Sequence, residues 1–330
     1  MSFQLPAYQA PDFTEERFVL APNFRMAPAP RDGVAPEGFH STGIAPVYFK
    51  IDGKWVLADR VRMDCVPVLR ETGRIDIVEF RHLKQGDLVI QGRTEDGSEG
   101  IFVHTRGFEE AASGEKDTFS FRQGRSRETA FSRDYDHLYE LLRHEKDHGH
   151  IVWVLGPAVS FDSDSRNAFA ALVNNGYVDA LLAGNALATH DLEGAFKRTA
   201  LGQDIYTQES RPMGHYHHID TINRVRRHGS IPAFIEAEGI DNGIIHACVK
   251  NDVPFVLTGS IRDDGPLPEV YADVYAGQDA MRQQVKKATT VICMATTLHA
   301  IATGNMTPSF RVMPDGTVRQ VYFYCVDISE

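Results

Sequence analysis

Residues 253–268, VPFVLTGSIRDDGPLP, constrain the fold more than any other stretch of the chain. Val253 to Leu257 is a short apolar run. A strand buried on both faces of a parallel sheet reads this way, because neither face needs a polar residue. The run breaks at Thr258-Gly259-Ser260 into Arg262, Asp263 and Asp264, braced by Gly265-Pro266 and Pro268. Open α/β sheets bind ligands beyond the carboxyl ends of their strands. A cation beside two carboxylates at such an end is therefore a candidate catalytic loop. The same residue types also make solvated turns, and on these residues alone both readings stand.

The flanking sequence repeats the pattern. Ile151 to Leu155 ends at Gly156-Pro157, and Tyr177 to Ala183 ends at Gly184-Asn185-Ala186. Further strands are expected over 290–294 and 320–327. Between them, Tyr135, Leu138, Tyr139, Leu141 and Leu142 share a helical face, and Phe169, Leu172 and Val173 follow an Asp162/Ser163 cap region. Helices are also expected around 217–228, 242–251, within 271–287 and near 297–303. This alternation predicts an α/β fold with a Rossmann-like, doubly wound parallel sheet over 126–330. Residues 36–125 read as a small β-rich, barrel-like domain. Val47–Ile51 and Lys54–Leu57 flank Asp52-Gly53, a hairpin signal. Residues 1–35 form an arm rich in Pro and Ala, with Phe3, Tyr8, Phe13, Phe18 and Phe24. Its aromatics imply packing, either on the chain's own surface or on a second copy. A homo-oligomer with a crossing arm is the expectation.

Composition excludes several classes. With a formal net charge of −11 and no long basic run, the chain is not expected to bind nucleic acid. The apolar runs fall short of membrane-spanning length, and the first residues, MSFQLPAYQAPDF, do not read as a signal peptide. The four cysteines, Cys65, Cys248, Cys293 and Cys325, are far apart and set among apolar residues. Buried free thiols in a reducing cytoplasm are expected.

Other candidate sites are weaker. Gly156 and Gly184 can bring backbone N–H groups against a pyrophosphate, but neither lies in a GxGxxG fingerprint. Asp327 is either a ribose contact or a solvated chain end. Gly214-His215-Tyr216-His217-His218 invites a metal reading. It lacks an evident companion set of ligands, so His218 is read as a helix-start or substrate-side residue, and no metal is expected. Arg224, Arg226 and Arg227 are read as surface cations or phosphate contacts. His40-Ser41 hints at hydrolase chemistry, but a GxSxG elbow is absent.

Several runs together resemble the LOR/SDH-like family of archaeal-type ornithine cyclodeaminases and the C-terminal part of the bifunctional arginine dihydrolase/ornithine cyclodeaminases. They are GYVDALLAGNALATHDLEGAF (176–196), His217-His218 with Ile222-Asn223-Arg224, HACVKNDVPFVLTGSIRDDGPLPE (246–269), QDAMR (278–282), ATTLHAIATGN (295–305) and CVDI (325–328). PEGFHST (36–42) and MDCV (63–66) extend the match into the β-rich domain. The resemblance implies NAD as cofactor, held near Gly156, Pro157, Gly184, Asn185, Ala186, Thr296, Thr297, Gly304, Asn305 and Asp327. It implies an amino-acid substrate in contact with His40, Ser41, Thr42, Asp64 and Cys65. Two departures stand out. Gly43-Ile44-Ala45 replaces a polar stretch in relatives, and relatives run on past the CVDI strand, which is expected to weaken adenosine binding unless a neighbouring subunit substitutes.

The implied reaction converts ornithine to proline and ammonia by internal hydride transfer. It needs a base for the α-ammonium, a guanidinium for the carboxylate and an anion for the distal amine. Asp264, Arg262 and Asp263 are assigned to these roles in turn, with His218 as a further catalytic candidate. The alternatives are an amino-acid or imine oxidoreductase with net NADH turnover, and a silent NAD-binding regulator.

Overall fold

The computed structural model describes residues 4–108, 131–263 and 265–326. The chain forms two compact units: Met1–Leu141 with Asn305–Tyr322, and Leu142–Gly304 with Phe323–Glu330. The sequence-predicted Phe3, Asp264 and Asp327 lie outside the described residues.

In the first unit the arm packs on its own chain. Phe13 stacks on Trp55 at 5.1 Å, and the buried Phe18 meets Trp55 and Phe102 edge-on. Phe18 sits in the single-turn helix α1 (Glu16–Val19). Lys50 is buried beneath it and donates to the carbonyls of Phe18, Val19 and Ala21 at 2.8, 2.8 and 2.7 Å. A buried ammonium is tolerable here because the carbonyls freed at a helix end satisfy it. The arm also supplies strand β1 (Arg25–Pro28). The other strands are β2 (Val47–Ile51), β3 (Lys54–Leu57), β4 (Cys65–Leu69), β5 (Ile75–Glu79), β6 (Leu88–Gln91) and β7 (Ile101–Val103). They form two sheets, β1-β6-β4-β5 and β3-β2-β7, with antiparallel pairing throughout. Asp52 and Gly53 turn the β2–β3 hairpin at φ 48° and 75°, the left-handed pair that a two-residue hairpin requires. Phe49, Ile90, Ile101 and Phe310 form part of the core between them.

Helix α2 (Phe131–His148) buries Leu138, Leu141 and Leu142. Tyr139, expected on the same face, is exposed instead: it sits about 100° round the helix from Leu138, off the buried stripe. The side chain of Tyr135 lies outside the described residues.

The second unit alternates as the sequence predicts. Its elements are β8 (Ile151–Leu155), α3 (Ser163–Asn174), β9 (Ala180–Gly184), α4 (Asn185–Lys197), the short ribbon β10 (Thr199–Ala200) and β11 (Gln203–Asp204), α5 (His217–His228), α6 (Ile231–Glu238), α7 (Ile244–Lys250), β12 (Phe255–Thr258), β13 (Val270–Tyr271), α8 (Val274–Val285), β14 (Thr290–Met294) and α9 (Thr297–Met306). The chain then gives the first unit the hairpin β15 (Phe310–Val312) and β16 (Val318–Gln320), and returns as β17 (Tyr322–Val326). Six strands form one sheet in the order β13-β12-β9-β8-β14-β17. The pairs from β13 to β14 are all parallel. Val152, Leu155, Leu181 and Val291 are fully buried, which explains their unbroken apolar runs. The fold is α/β: a Rossmann-like parallel sheet preceded by antiparallel β structure.

Candidate functional site

From β8 the chain steps outward through β9, β12 and β13, then returns to the other side of β8 with β14 and β17. The order therefore reverses between β8 and β14. Such a reversal leaves a crevice at the carboxyl ends of the two strands. Gly156-Pro157 and Ala295-Thr296-Thr297 follow those ends. Gly156 N donates to Met294 O at 2.8 Å, and a Cβ at Gly156 would lie 1.7 Å from Ala295 O. The backbone itself thus demands glycine here. Gly156→Ala is expected to lower unfolding stability by about 1–3 kcal/mol or more with or without ligand, measured by urea titration. Ala295 has φ 55°, a left-handed conformation that strains any residue with a Cβ.

In dinucleotide folds the helix after the first strand usually receives the pyrophosphate. Here that helix, α3, is already capped: Asp162 accepts from Ser165 N at 2.8 Å, and its carboxylate opposes a second anion. The next helix, α4, begins directly after β9. Gly184 stands at its N-cap with no side-chain hydrogen bond, so the first-turn donors remain available to a ligand. Gly184 has an ordinary φ of −96°, and a Cβ there would meet His299 Cε1 at 3.4 Å. A small side chain therefore fits the protein. Gly184→Ala is expected to keep the unfolding midpoint close to wild type while weakening dinucleotide binding, as read by calorimetry.

His299 lies within the ATTLHAIATGN run and carries no signal of its own in the sequence. It lies in the first turn of α9, and its Nε2 is 3.1 Å from Thr258 Oγ1 at the end of β12. Since β8 and β9 separate β14 from β12 in the sheet, the start of α9 crosses their carboxyl ends. Burial makes His299 harder to protonate than a free histidine. The same holds for His218 and His40, where burial is again the largest cause. In each case the unfolded chain takes up the proton first as pH falls. Stability is thus full above the ordinary value of 6.5 and lost as pH drops below it, which urea midpoints from pH 8 to 5 would display.

The 260–267 loop is tied down by Asp263 and Asn185. Asp263 accepts from Ser260 N at 2.7 Å and from Asn185 Nδ2 at 3.4 Å. Asn185 Oδ1 accepts from Leu267 N at 3.1 Å and from Thr189 Oγ1 at 3.3 Å. Arg262 is exposed at the tip. Ala186 lies half-buried in the first turn of α4. Gly304 and Asn305 are not brought to the strand ends: they lie about 10–12 Å further along α9 from Thr297. Gly304 lies against the Phe323 ring, and Asn305 O accepts from Met63 N at 3.0 Å.

His218 belongs to a cluster that the sequence only half revealed. Glu193, fully buried on α4, accepts from Thr199 Oγ1 at 2.8 Å and from Leu201 N and Gly202 N at 3.1 Å each. It also pairs with His190 Nδ1 at 2.9 Å. Thr199 Oγ1 is in turn 2.8 Å from His217 Nδ1. The His218 ring lies 6.0 Å from that of His190, and its Nδ1 is buried without a hydrogen bond.

The first unit holds a cleft of about 390 Å³. It gathers His40, Ser41 and Asp64 with Arg93 and Glu95, against the rings of Phe39 and Phe80. His40 is 2% exposed, and its Nε2 lacks a hydrogen-bond partner, as an atom reserved for a ligand would. Thr42 and Cys65 stand behind the cleft. Thr42 N donates to Cys65 O at 2.9 Å and Thr42 Oγ1 to Arg62 O at 2.7 Å, and the Cys65 side chain is fully buried. Arg93 and Glu95 carried no signal in the sequence beyond being charged.

Residues 137–329 match the family described as arginine dihydrolase ArgZ-like, C-terminal, Rossmann fold, and residues 46–129 match its first region. A curated relative, ornithine cyclodeaminase of Methanopyrus kandleri, is 39% identical over 307 residues, covering 92% of this chain and 70% of the relative. A crystal structure of a LOR/SDH protein from Methanococcus maripaludis S2 superposes with a TM-score of 0.80 at 36% identity, covering 93% of this chain and 88% of that one. The ternary complex of AgrE with ornithine and NAD+ superposes at 0.55 with 30% identity, covering 94% of this chain and 41% of AgrE. The chain belongs to the ArgZ-like C-terminal family, the family of the archaeal ornithine cyclodeaminases.

Proposed function

We propose that the chain is an NAD-dependent cyclodeaminase that converts ornithine, or a related basic amino acid, to proline or the corresponding cyclic imino acid and ammonia. The observation that carries this reading is the likeness, over 94% of the chain, to AgrE solved with ornithine and NAD+. The crevice fits the cofactor: it lies where the strand order reverses, and the neighbouring α4 N-terminus lacks a side-chain cap. NAD+ bound there would supply a reversible hydride acceptor for the substrate Cα.

The protein's own groups position the amino acid and move its protons. Gly184, Asn185 and Ala186 offer backbone donors to the pyrophosphate, with Pro157, Thr296 and Thr297 lining the crevice. The neutral His299 closes its floor. Asp263, engaged with Ser260 and Asn185, braces the loop and offers its remaining lone pairs to the distal amine. Asp264 is then the base that deprotonates the α-ammonium, and Arg262 takes the carboxylate. Within the first unit, the cleft at His40, Ser41 and Asp64 offers polar groups suited to an amino acid. The described residues include no helix long and apolar enough to cross a membrane. A cytoplasmic homo-oligomer is part of the proposal.

Incubation of purified protein with ornithine and NAD+ tests the reading. Equal amounts of proline and ammonia with unchanged total NAD+ are expected. NADH accumulating with turnover would instead support the dehydrogenase alternative, favoured by Gly43-Ile44-Ala45 beside the His40 cleft. Cofactor binding without turnover of any basic amino acid would leave a regulator.

A further inference from the structure

The sequence expectation of four isolated, buried thiols is corrected at one pair. Cys293 on β14 and Cys325 on β17 lie on adjacent strands of the six-stranded sheet. The two strands are held together just beyond them, where Ala295 N donates to Val326 O at 3.2 Å. Neighbouring strands run about 4.7–4.9 Å apart, within the Cα separation that a disulfide spans. Cys293 is buried, whereas Cys325 is exposed. The other cysteines, Cys65 and Cys248, are fully buried.

We propose that Cys293 and Cys325 form a paired oxidation site that closes to a disulfide on reaction with a hydroperoxide. The exposed Cys325 meets the oxidant. Its sulfur attacks the peroxide O–O bond, giving a sulfenic acid and releasing water or an alcohol. Cys293 then attacks that sulfur: the S–O bond breaks, the S–S bond forms, and a second water leaves. The dithiol gives up two electrons and two protons, and the peroxide takes up both. The division of roles follows from the environment. Cys325 is exposed and meets the oxidant first, and the buried Cys293 on the neighbouring strand is shielded from it and reacts second. The bond would tether, within one sheet, the two places where the chain leaves for and returns from its excursion, Asn305–Tyr322, into the first unit. This inference is independent of the substrate.

The test uses the whole purified chain, treated with one equivalent of hydrogen peroxide and digested under non-reducing conditions. Titratable thiols are expected to fall from four to two. A Cys293–Cys325 cross-linked peptide should appear within one chain and disappear on adding dithiothreitol. Oxidised protein should unfold at a higher urea concentration, because the bond restricts the unfolded chain. Cys293→Ser should stop at a sulfenic acid on Cys325 that dimedone traps, and Cys325→Ser should leave Cys293 a thiol. The proposal is overturned if wild-type Cys325 proceeds to sulfinic acid, or links to another copy, while Cys293 remains a thiol. The wild-type peptide map decides this even if a variant fails to fold.

Discussion

Asp191→Ala is expected to destabilise the Rossmann-like unit by about 3–5 kcal/mol, the range for removing one partner of a buried ion pair. Asp191 lies at the centre of α4, and its carboxylate pairs with Arg166 Nε of α3 at 2.9 Å, both side chains being 1% exposed. The same carboxylate accepts from Ile244 N at 2.9 Å and Ile245 N at 2.8 Å, and so caps α7 from a distance. Helix α7 needs this because its own N-cap is Gly243, which has no side chain to offer. Glycine is required there in turn: φ is 107°, and a Cβ would lie 2.5 Å from Arg166 Nη2. The substitution leaves Arg166 Nε and two N–H groups buried without their acceptor, and the guanidinium without its counter-charge. Urea unfolding followed by far-UV circular dichroism measures the loss. Asp191→Asn keeps an acceptor and should lose less. Equal losses for the two variants would show that the charge opposite Arg166, rather than the presence of an acceptor, carries the effect.

Asp264→Asn is expected to slow turnover roughly 10²–10⁴-fold, the usual contribution of a positioned acid–base group. Dinucleotide affinity and the unfolding midpoint should barely move. The amide keeps size and hydrogen bonding but cannot take the proton. Asp263→Asn should behave differently. Its carboxylate receives the Ser260 N–H and the Asn185 amide, so the change loosens the loop and raises KM as well as lowering kcat. Steady-state kinetics on both variants separates the roles. Turnover by Asp264→Asn near wild type would move the base to Asp263 or His218.

The second unit was legible because burial on both faces of a parallel sheet leaves continuous apolar runs, such as Ile151–Leu155 and Val253–Leu257. The Asp52-Gly53 hairpin was legible from turn chemistry alone. Helix α6 lies outside the expected helices, yet its sequence carries a start signal: Ser230 caps it, accepting from Ala233 N at 3.2 Å, and Pro232 lies in its first turn. The β15–β16 hairpin is hard to read in the sequence because its strands are three residues each, too short to show alternation. At the site, Asn185, Asp263 and Arg262 were named from one loop and one junction. Their division into braces and tip required geometry, because Asn185 and Asp263 meet across 78 residues of sequence. His299, and the Glu193 cluster around His190 and His217, were hidden for the same reason: a lone histidine in an apolar run gives no sign of its partner.

Internal return of the hydride is the central claim, and ornithine labelled with deuterium at Cα tests it most directly. In the proposed reaction the label leaves Cα, is held on the cofactor and returns to the same carbon. Mass spectrometry should therefore find proline with the deuterium retained at Cα, at full conversion and with a catalytic amount of NAD+. Unlabelled proline, or deuterated NADH formed in step with substrate loss, would contradict the account.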